Sequence, residues 1–214
     1  MEKITGMEAA QAVPPKVLAI YQAVEQLIAS GENLNSVSVS AITELAGIGK
    51  GTAYDYFENK DEIIACSLLY QIRSLSEGLR EVLDTKESFA EQMSFCLNEI
   101  EEGTEKQQCF MRFVHVLTEN SGYCQLVKQK MGQKEFEAYL PQNVLRECIM
   151  KAVERGEMKS SLPMDYMIHE VFSKLLTYLL SIHTHKCMGA EIEVETIRPY
   201  VYQSLINELC EKNV

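Results

Sequence analysis

Apolar residues recur every three or four positions through almost the whole chain, and this helical period restricts the folds that the sequence can adopt. The most regular stretch follows Pro163, where apolar residues keep that spacing as far as His183. Its apolar stripe is wide enough to be buried on two sides. No segment alternates apolar and polar residues in the manner of a half-buried strand. The pattern therefore predicts an all-α protein of about nine or ten helices.

Prolines, glycines and polar residues divide the periodic pattern into separate helices. A first helix carries apolar residues from Val17 to Ile28 and ends before Gly31. Pro141 interrupts the pattern because proline lacks the amide donor of a helix interior, and for the same reason we expect Pro199 in the first turn of the last helix. The predicted helices cover residues 17–28, 39–46, 50–57, 63–83, 86–101, 105–119, 122–140, 142–155, 163–188 and 195–212.

Composition excludes several classes of protein. No apolar run approaches the roughly 20 residues that cross a bilayer, and the first dozen residues lack the apolar stretch of a secretory signal. The seven cysteines are an odd number without a C-x-x-C pair, which favours free thiols in a reducing compartment over a disulfide framework. We therefore predict a cytoplasmic protein that does not contact a membrane and carries no cofactor.

The segment from Ser38 to Lys60 has the pattern that says most about function. It predicts two helices of about two turns each, joined by a tight turn on Gly47 and Gly49, where glycine permits a positive φ. So short a connection excludes antiparallel packing, and a steep crossing of the two helices is the geometry of a helix-turn-helix. The residues expected to pack inward, against the first helix, are Ile42, Leu45, Ile48 and Phe57.

The second of these short helices is expected to turn its polar face outward. A helix that enters the major groove reads base edges with its N-terminal residues. Gly51 permits close approach to the DNA backbone, and Thr52 offers a methyl group to thymine and a hydroxyl to base edges or phosphate. Asn59 and Glu62 are spaced as a capping box for the helix that follows. The predicted DNA-binding residues are Ser38, Ser40, Lys50, Gly51, Thr52, Tyr54, Tyr56 and Lys60.

The stretch GIGKGTAYDYFENK, followed by a predicted helix, resembles the signature of the TetR (tetracycline-repressor-like) family. In that family a glycine turn precedes a K-G-T-x-Y-x-Y-F recognition helix and a lysine follows. The resemblance implies core positions at Ile42, Leu45 and Phe57, and operator contacts at Thr52, Tyr54, Tyr56 and Lys60. It also implies that the later helices form a ligand-binding and dimerisation domain. The chain departs from the family pattern at Gly49, where a capping serine or threonine is common.

The resemblance and the helix pattern together predict a division of the chain into a flexible N-terminal arm (1–12), a helix-turn-helix DNA-binding domain (13–60) and a ligand-binding and dimerisation domain (61–214). The candidate residues for a ligand pocket are Met93, Phe110, Phe113, His115, Tyr123, Tyr139, Tyr166, His169, Phe172 and Tyr178. The candidate dimer residues are Val171, Leu175, Leu179, Ile197, Val201, Leu205 and Leu209. The alternative for both sets is ordinary packing inside one chain, since sequence periodicity does not separate a core residue from a pocket or interface residue.

Two further kinds of site are not predicted. His183 and Cys187 share a helix face, but His185 points elsewhere, so the three do not predict a metal site. The sequence also lacks the nucleophile, phosphate-loop and metallohydrolase motifs that mark many active sites. We therefore expect neither a metal nor an enzymatic activity.

The leading hypothesis is a ligand-responsive transcriptional regulator, a repressor released from its operator by a small-molecule inducer. A homodimer on palindromic double-stranded DNA is expected because two recognition helices must stand about 34 Å apart to reach successive major grooves. Charge is the opposing observation: the chain has 20 Lys and Arg against 31 Asp and Glu, and residues 1–60 contain no arginine. The alternative hypothesis is a helical protein–protein interaction or adaptor protein of the same fold, with weak or no operator binding.

Overall fold

The computed structural model describes residues 4, 6, 8, 12–102, 114–188 and 194–211, and at 184–188 and 194 it describes the backbone alone. Over these residues there is no β-strand, only an isolated antiparallel bridge between Met158 and Cys210. The all-α prediction is confirmed. The helices are α1 (Pro15–Ala29), α2 (Val39–Leu45), α3 (Lys50–Tyr56), α4 (Lys60–Asp84), α5 (Phe89–Glu102), α6 (described over 114–118), α7 (Gly122–Met131), α8 (Lys134–Glu137), α9 (Pro141–Glu154), α10 (Met164–Met188) and α11 (Val194–Leu209).

The chain divides into two compact units. Unit 1 consists of Met1–Leu75 and Met111–Ala138, and unit 2 of Ser76–Phe110 and Tyr139–Val214. In unit 1, α1 packs against α2 and α3, and α7 packs against α8. In unit 2, α10 packs against α5, α9 and α11. The sequence of α4 contributes its first part to unit 1 and its last part to unit 2.

Helix α1 begins and ends as its proline and glycine predict. Pro15 occupies the first helical position, where the missing amide hydrogen costs nothing because that donor would have no partner inside the helix. Gly31 adopts a φ of +81°, and the Glu32 amide donates to the carbonyl of Leu27 at 3.0 Å. A glycine in the left-handed region at this position is the usual way to end a helix.

The core of unit 1 is built around aromatic side chains. Val17, Ile20 and Val24 of α1 are fully buried, as is Phe57 after α3. The ring of Tyr21 lies 6.3 Å from that of Phe57 and 5.1 Å from that of Tyr70 on α4, measured between centroids. These distances are in the range of favourable aromatic pairs.

Helix α4 carries the predicted N-terminal cap. The side-chain oxygen of Asn59 accepts from the amide of Glu62 at 2.9 Å. The Glu62 carboxylate accepts from the amide of Glu58 at 2.6 Å, one residue before the amide that a capping box would use. The two bonds satisfy donors at the start of a helix of 25 residues.

The core of unit 2 draws on five helices. Its buried residues come from the end of α4, from α5 and α9, and from α10 and α11, and include Phe89, Met93, Ile149, Val171, Leu205 and Leu209. A smaller cluster consists of Leu97, Tyr178 and Ile182. At the surface, the Arg80 guanidinium donates to both carboxylate oxygens of Glu147, at 2.5 and 3.1 Å.

The single helix predicted over 122–140 is wrong. Helix α7 ends at Met131, and Gln133 adopts an extended conformation before the short helix α8. Gly132 lowers the helix propensity at the break by about 1 kcal/mol relative to alanine. The buried ring of Phe136 anchors α8 in unit 1. The break predicted at Pro141 is confirmed, because this proline is the first residue of α9.

The last helix also differs from its prediction. It begins at Val194, so Pro199 lies in its second turn and not in its first. It ends at Leu209, before the predicted end at Lys212. The chain instead pairs with the segment before α10: the Lys159 amide donates to the carbonyl of Leu209, and the Glu211 amide to that of Glu157, both at 2.9 Å.

Candidate nucleic-acid interface

The turn between α2 and α3 is built from a left-handed glycine. Gly47 has a φ of +67°, whereas Gly49 has a φ of −73°, so only the first glycine needs the freedom predicted for both. The Gly47 amide donates to the carbonyl of Glu44 at 3.1 Å, and the Ile48 amide to that of Thr43 at 3.0 Å. This pair of bonds is a Schellman motif, which closes the end of α2.

Helix α2 is closed at its start by Ser38, whose hydroxyl oxygen accepts from the Ala41 amide at 3.1 Å. The buried Thr43 hydroxyl donates to the carbonyl of Val39 at 3.0 Å. Of the predicted DNA-binding serines, Ser38 is exposed and Ser40 is half-buried.

One side of α3 faces solvent. Lys50, Gly51 and Tyr54 are exposed, with 42% of Tyr54 accessible, and Thr52 is half-buried. Within the described part of the chain, nothing lies within 4 Å of the position that a Cβ of Gly51 would occupy. This face therefore offers a hydroxyl, an aromatic side chain, an ammonium group and a close-approach glycine on one short helix.

The other side of α3 is buried, and Tyr56 belongs to it. Ala53 and Phe57 are fully buried, and Tyr56 is only 8% exposed. The prediction that Tyr56 faces outward is therefore wrong, because it lies three residues after Ala53 and beside Phe57 on one helix face. Its carbonyl accepts from the Ile4 amide at 3.0 Å.

Leu45 was predicted to pack inward and is 47% exposed. The buried side of α2 carries Val39, Ile42 and Thr43. Leu45 lies roughly 110° around the helix from the centre of that side, given 3.6 residues per turn. The inward positions predicted for Ile42 and Phe57 are confirmed, since both are fully buried.

Lys60 is held by the connector between α1 and α2. Its ammonium donates to the carbonyl of Asn35 at 2.6 Å and lies 3.5 Å from that of Leu34. The prediction treated this side chain as a free charge for phosphate. The bonds to the connector give it a structural partner that sequence spacing did not reveal.

Residues of the predicted arm also contact unit 1. The Arg73 guanidinium donates to the carbonyl of Glu8 at 2.6 Å, and Ile4 is buried. An apolar residue at position 4 was the sequence signal for this contact. The other residues of the predicted arm that the structure describes are Gly6 and Ala12.

Two of the predicted pocket residues, His115 and Tyr123, line a cavity of about 280 Å³ inside unit 1. Burial raises the pKa of the Tyr123 phenol to about 12. The apolar lining comes from Ile28, Leu34, Leu68 and Val116, and the rest of the lining from Glu32, Asn33, Asn35, His115, Glu119 and Tyr123.

The remaining pocket candidates do not lie together. Tyr178 lines a cleft of about 250 Å³ between α10 and α11 of unit 2, and its hydroxyl donates to Glu101 at 2.6 Å. Met93 is fully buried in the core, and Phe172 packs against that core. Tyr139 is half-buried, whereas Tyr166 and His169 are exposed. Phe110 and Phe113 lie outside the described residues.

The candidate dimer residues are mostly part of unit 2 itself. Val171, Leu205 and Leu209 are buried in its core, so they are not available to a second copy of the chain. Leu179 is buried as well, and the half-buried members are Leu175, Ile197 and Val201. The prediction is wrong for the buried residues because α10 packs against α5, α9 and α11, and α11 packs against α5 as well. On the same two helices, Tyr200 and Leu180 are 75% and 36% exposed.

The cysteines that the structure describes are buried free thiols: Cys66, Cys96, Cys124, Cys148 and Cys210. Burial raises the pKa of Cys66 to about 12 and that of Cys148 to about 11. Within the described residues, no three His, Cys, Asp or Glu side chains are grouped as a metal site. The side chains of His185 and Cys187 lie outside that description. None of the described helices has the length and apolar character of a bilayer-crossing segment.

Residues 38–57 have the geometry of a helix-turn-helix. Residues 22–65 match the family described as "Bacterial regulatory proteins, tetR family". This match confirms, over that part of the chain, the resemblance to the TetR family found in the sequence. No curated protein matches it in sequence.

Solved structures share the fold over nearly the whole chain. FadR from Bacillus subtilis in complex with stearoyl-CoA is 18% identical with a TM-score of 0.64, and the alignment covers 88% of this chain and 97% of FadR. NalD, the secondary repressor of the MexAB-OprM multidrug efflux pump in Pseudomonas aeruginosa, is 15% identical with a TM-score of 0.62, covering 92% and 98%. The SmeT–triclosan complex is 13% identical with a TM-score of 0.66, covering 94% of each chain.

Proposed function

We propose that this protein is a ligand-responsive transcriptional regulator, a homodimeric repressor that binds a palindromic operator and releases it when a small molecule binds. The observation that carries the proposal is the outward face of α3, where Lys50, Thr52 and Tyr54 stand beside Gly51. NalD supports a repressor, and the complexes of FadR with stearoyl-CoA and of SmeT with triclosan support a small-molecule effector. Residues 13–60 would form the DNA-binding domain, and 61–214 the ligand-binding and dimerisation domain.

Each residue of the face has a separate role in the proposal. Thr52 and Tyr54 contact base edges and the sugar-phosphate backbone, Gly51 lets the helix approach closely, and Lys50 pairs with phosphate. The Ser38 hydroxyl accepts a hydrogen bond from the Ala41 amide of α2 and donates a hydrogen bond to phosphate. Lys60 holds the connector in place, so its effect on DNA binding is indirect.

Release follows a shift between two populations of the dimer. The effector binds better to the arrangement in which the two recognition helices do not match the operator. To move that equilibrium from 1:99 to 99:1, its differential affinity must supply about 5.5 kcal/mol. A smaller difference would weaken the operator complex without abolishing it.

Selection of bound fragments from random double-stranded DNA tests the proposal. We expect one palindromic sequence to be enriched, with affinity that falls steeply between about 50 and 200 mM salt. Tyr54→Ala and Thr52→Ala should each weaken the complex by roughly ten-fold or more, because a lost base contact costs about 1–3 kcal/mol. Lys134→Ala, an exposed lysine on α8, is the control and should bind as the wild type does.

The acidic surface of the chain supplies the competing outcome. With four lysines, seven carboxylates and no arginine in residues 1–60, few counterions are released on binding. If no DNA sequence is enriched at either salt concentration, the repressor proposal is wrong and the adaptor hypothesis takes its place.

A further inference from the structure

The cavity in unit 1 has the lining of a site for an organic cation. Its lining includes the apolar residues Ile28, Leu34, Leu68 and Val116. It also includes the carboxylates of Glu32 and Glu119 and the aromatic side chain of Tyr123. Among the lining residues that the structure describes there is no lysine or arginine. Carboxylates and aromatic rings both attract an ammonium group, while an apolar side takes up a hydrocarbon body.

Glu119 connects this cavity to the DNA-binding helices. Its Oε1 atom accepts from the side-chain amide of Asn35 at 3.0 Å, and its Oε2 atom pairs with Nε2 of His115. The backbone carbonyl of Asn35 in turn accepts a hydrogen bond from the ammonium group of Lys60. One carboxylate therefore links α6 to the connector between α1 and α2.

We propose that the cavity binds a small organic amine, with its ammonium group between Glu119 and Glu32 and its apolar body against Leu34, Leu68 and Val116. The proposal rests on the proposed function in one respect, since it assigns this amine the role of effector. The volume of about 280 Å³ lies just below the range of about 300–1,000 Å³ for small-molecule sites, which favours a compact ligand over a long acyl chain.

Occupation of the cavity changes the connector. The ammonium donors of the ligand compete with Asn35 for the Glu119 carboxylate, so the bond from Glu119 to the connector is lost. The connector then loses the contact at Asn35, whose carbonyl is bonded to Lys60. Since this connector leads directly into α2, the expected consequence is weaker binding of the operator.

Calorimetric titration of the full chain tests the chemistry with three probes of similar shape. We expect 2-phenylethylamine to bind, and we expect neutral 2-phenylethanol and anionic phenylacetate to bind at least ten-fold more weakly. Glu119→Gln and Glu32→Gln each remove one charge, and each should weaken the amine by roughly ten-fold, the value of one charge-assisted hydrogen bond. Glu25→Gln, an exposed carboxylate on α1 outside the cavity, should leave the affinity unchanged.

Thermal unfolding identifies any variant that does not fold. If Glu119→Gln does not fold, Glu32→Gln alone tests the site, because Glu32 is exposed and its substitution should leave the fold intact. If the three probes bind alike, if none binds, or if Glu25→Gln weakens the amine as much as Glu32→Gln does, the cation site is wrong. Operator binding measured in parallel separates this failure from that of the repressor proposal. A chain that binds its palindrome but ignores the amine overturns the site alone, whereas a chain that binds the amine and enriches no DNA overturns the repressor alone.

Discussion

The recognition helix of unit 1 and the α10–α11 pair of unit 2 show how the surroundings of a helix decide what its sequence reveals. Helix α3 has one side in the core and one in solvent, so its outward residues Lys50 and Tyr54 are recognisable from their spacing. Helices α10 and α11 have neighbours on more than one side. There the same apolar period marks core residues such as Leu205, while the exposed Tyr200 does not belong to the stripe.

The largest effect that tests this comparison is expected at Phe57. Phe57→Ala removes a fully buried ring beside Tyr21, and we expect the free energy of unfolding to fall by about 3–5 kcal/mol. Leu45→Ala, at a leucine of α2 that is 47% exposed, should cost less than about 1 kcal/mol. Urea unfolding measures both, and equal losses would mean that the inward and outward sides of the helix-turn-helix are assigned wrongly.

A second pair of variants separates core from interface in unit 2. Leu205→Ala should lower the free energy of unfolding by about 2–5 kcal/mol at every protein concentration, because Leu205 is fully buried within the chain. Tyr200→Ala should instead reduce the dependence of the unfolding midpoint on protein concentration. The reason is that Tyr200 is 75% exposed on α11, one of the two helices predicted to form the dimer contact, and we expect the homodimer to cover it. If Leu205→Ala changed only the dependence of the unfolding midpoint on protein concentration, the sequence prediction of Leu205 as a dimer residue would be right.

These contrasts explain how much the sequence could predict. The glycine turn, the cap at Asn59 and the buried Ile42 and Phe57 follow from local rules that act within a few residues. Tyr56 and Leu45 were assigned to the wrong side because a helix of seven residues has too few positions to define its buried face by period alone. The bonds from Lys60 to the connector and from Asn35 to Glu119 join residues 25 and 84 positions apart, and no spacing rule predicts them.

The buried thiols extend the comparison to high pH. In the folded chain the pKa of Cys148 is raised to about 11 by burial, from an ordinary value near 9. Between pH 9 and pH 11 the thiol of Cys148 ionises in the unfolded chain but stays protonated in the folded chain. The contribution of Cys148 to the free energy of unfolding is therefore complete below pH 9 and is lost as the pH rises towards 11. Over that range we expect the free energy of unfolding of wild type to fall by about 1 kcal/mol per pH unit more than that of Cys148→Ala.

Urea unfolding at several pH values between 8 and 11 measures this effect. The difference in the free energy of unfolding between wild type and Cys148→Ala should narrow or reverse as the pH rises. Cys66→Ala offers the matching test in unit 1, where the raised pKa of about 12 extends the window upwards. A constant difference between wild type and variant across the range would contradict the assignment.

The last pair of expected effects concerns the two glycines of the turn, and these effects differ in sign. Gly47→Ala places a Cβ on a residue with a φ of +67° and should cost about 1–2 kcal/mol. Gly49→Ser introduces a side chain that can cap α3 at a φ of −73°, and should raise the free energy of unfolding by a few tenths of a kcal/mol. Thermal unfolding of the two variants against wild type measures both. Because the substitutions differ in backbone conformation and lie two residues apart, a loss at both positions would show that the turn tolerates no side chain, whatever its φ.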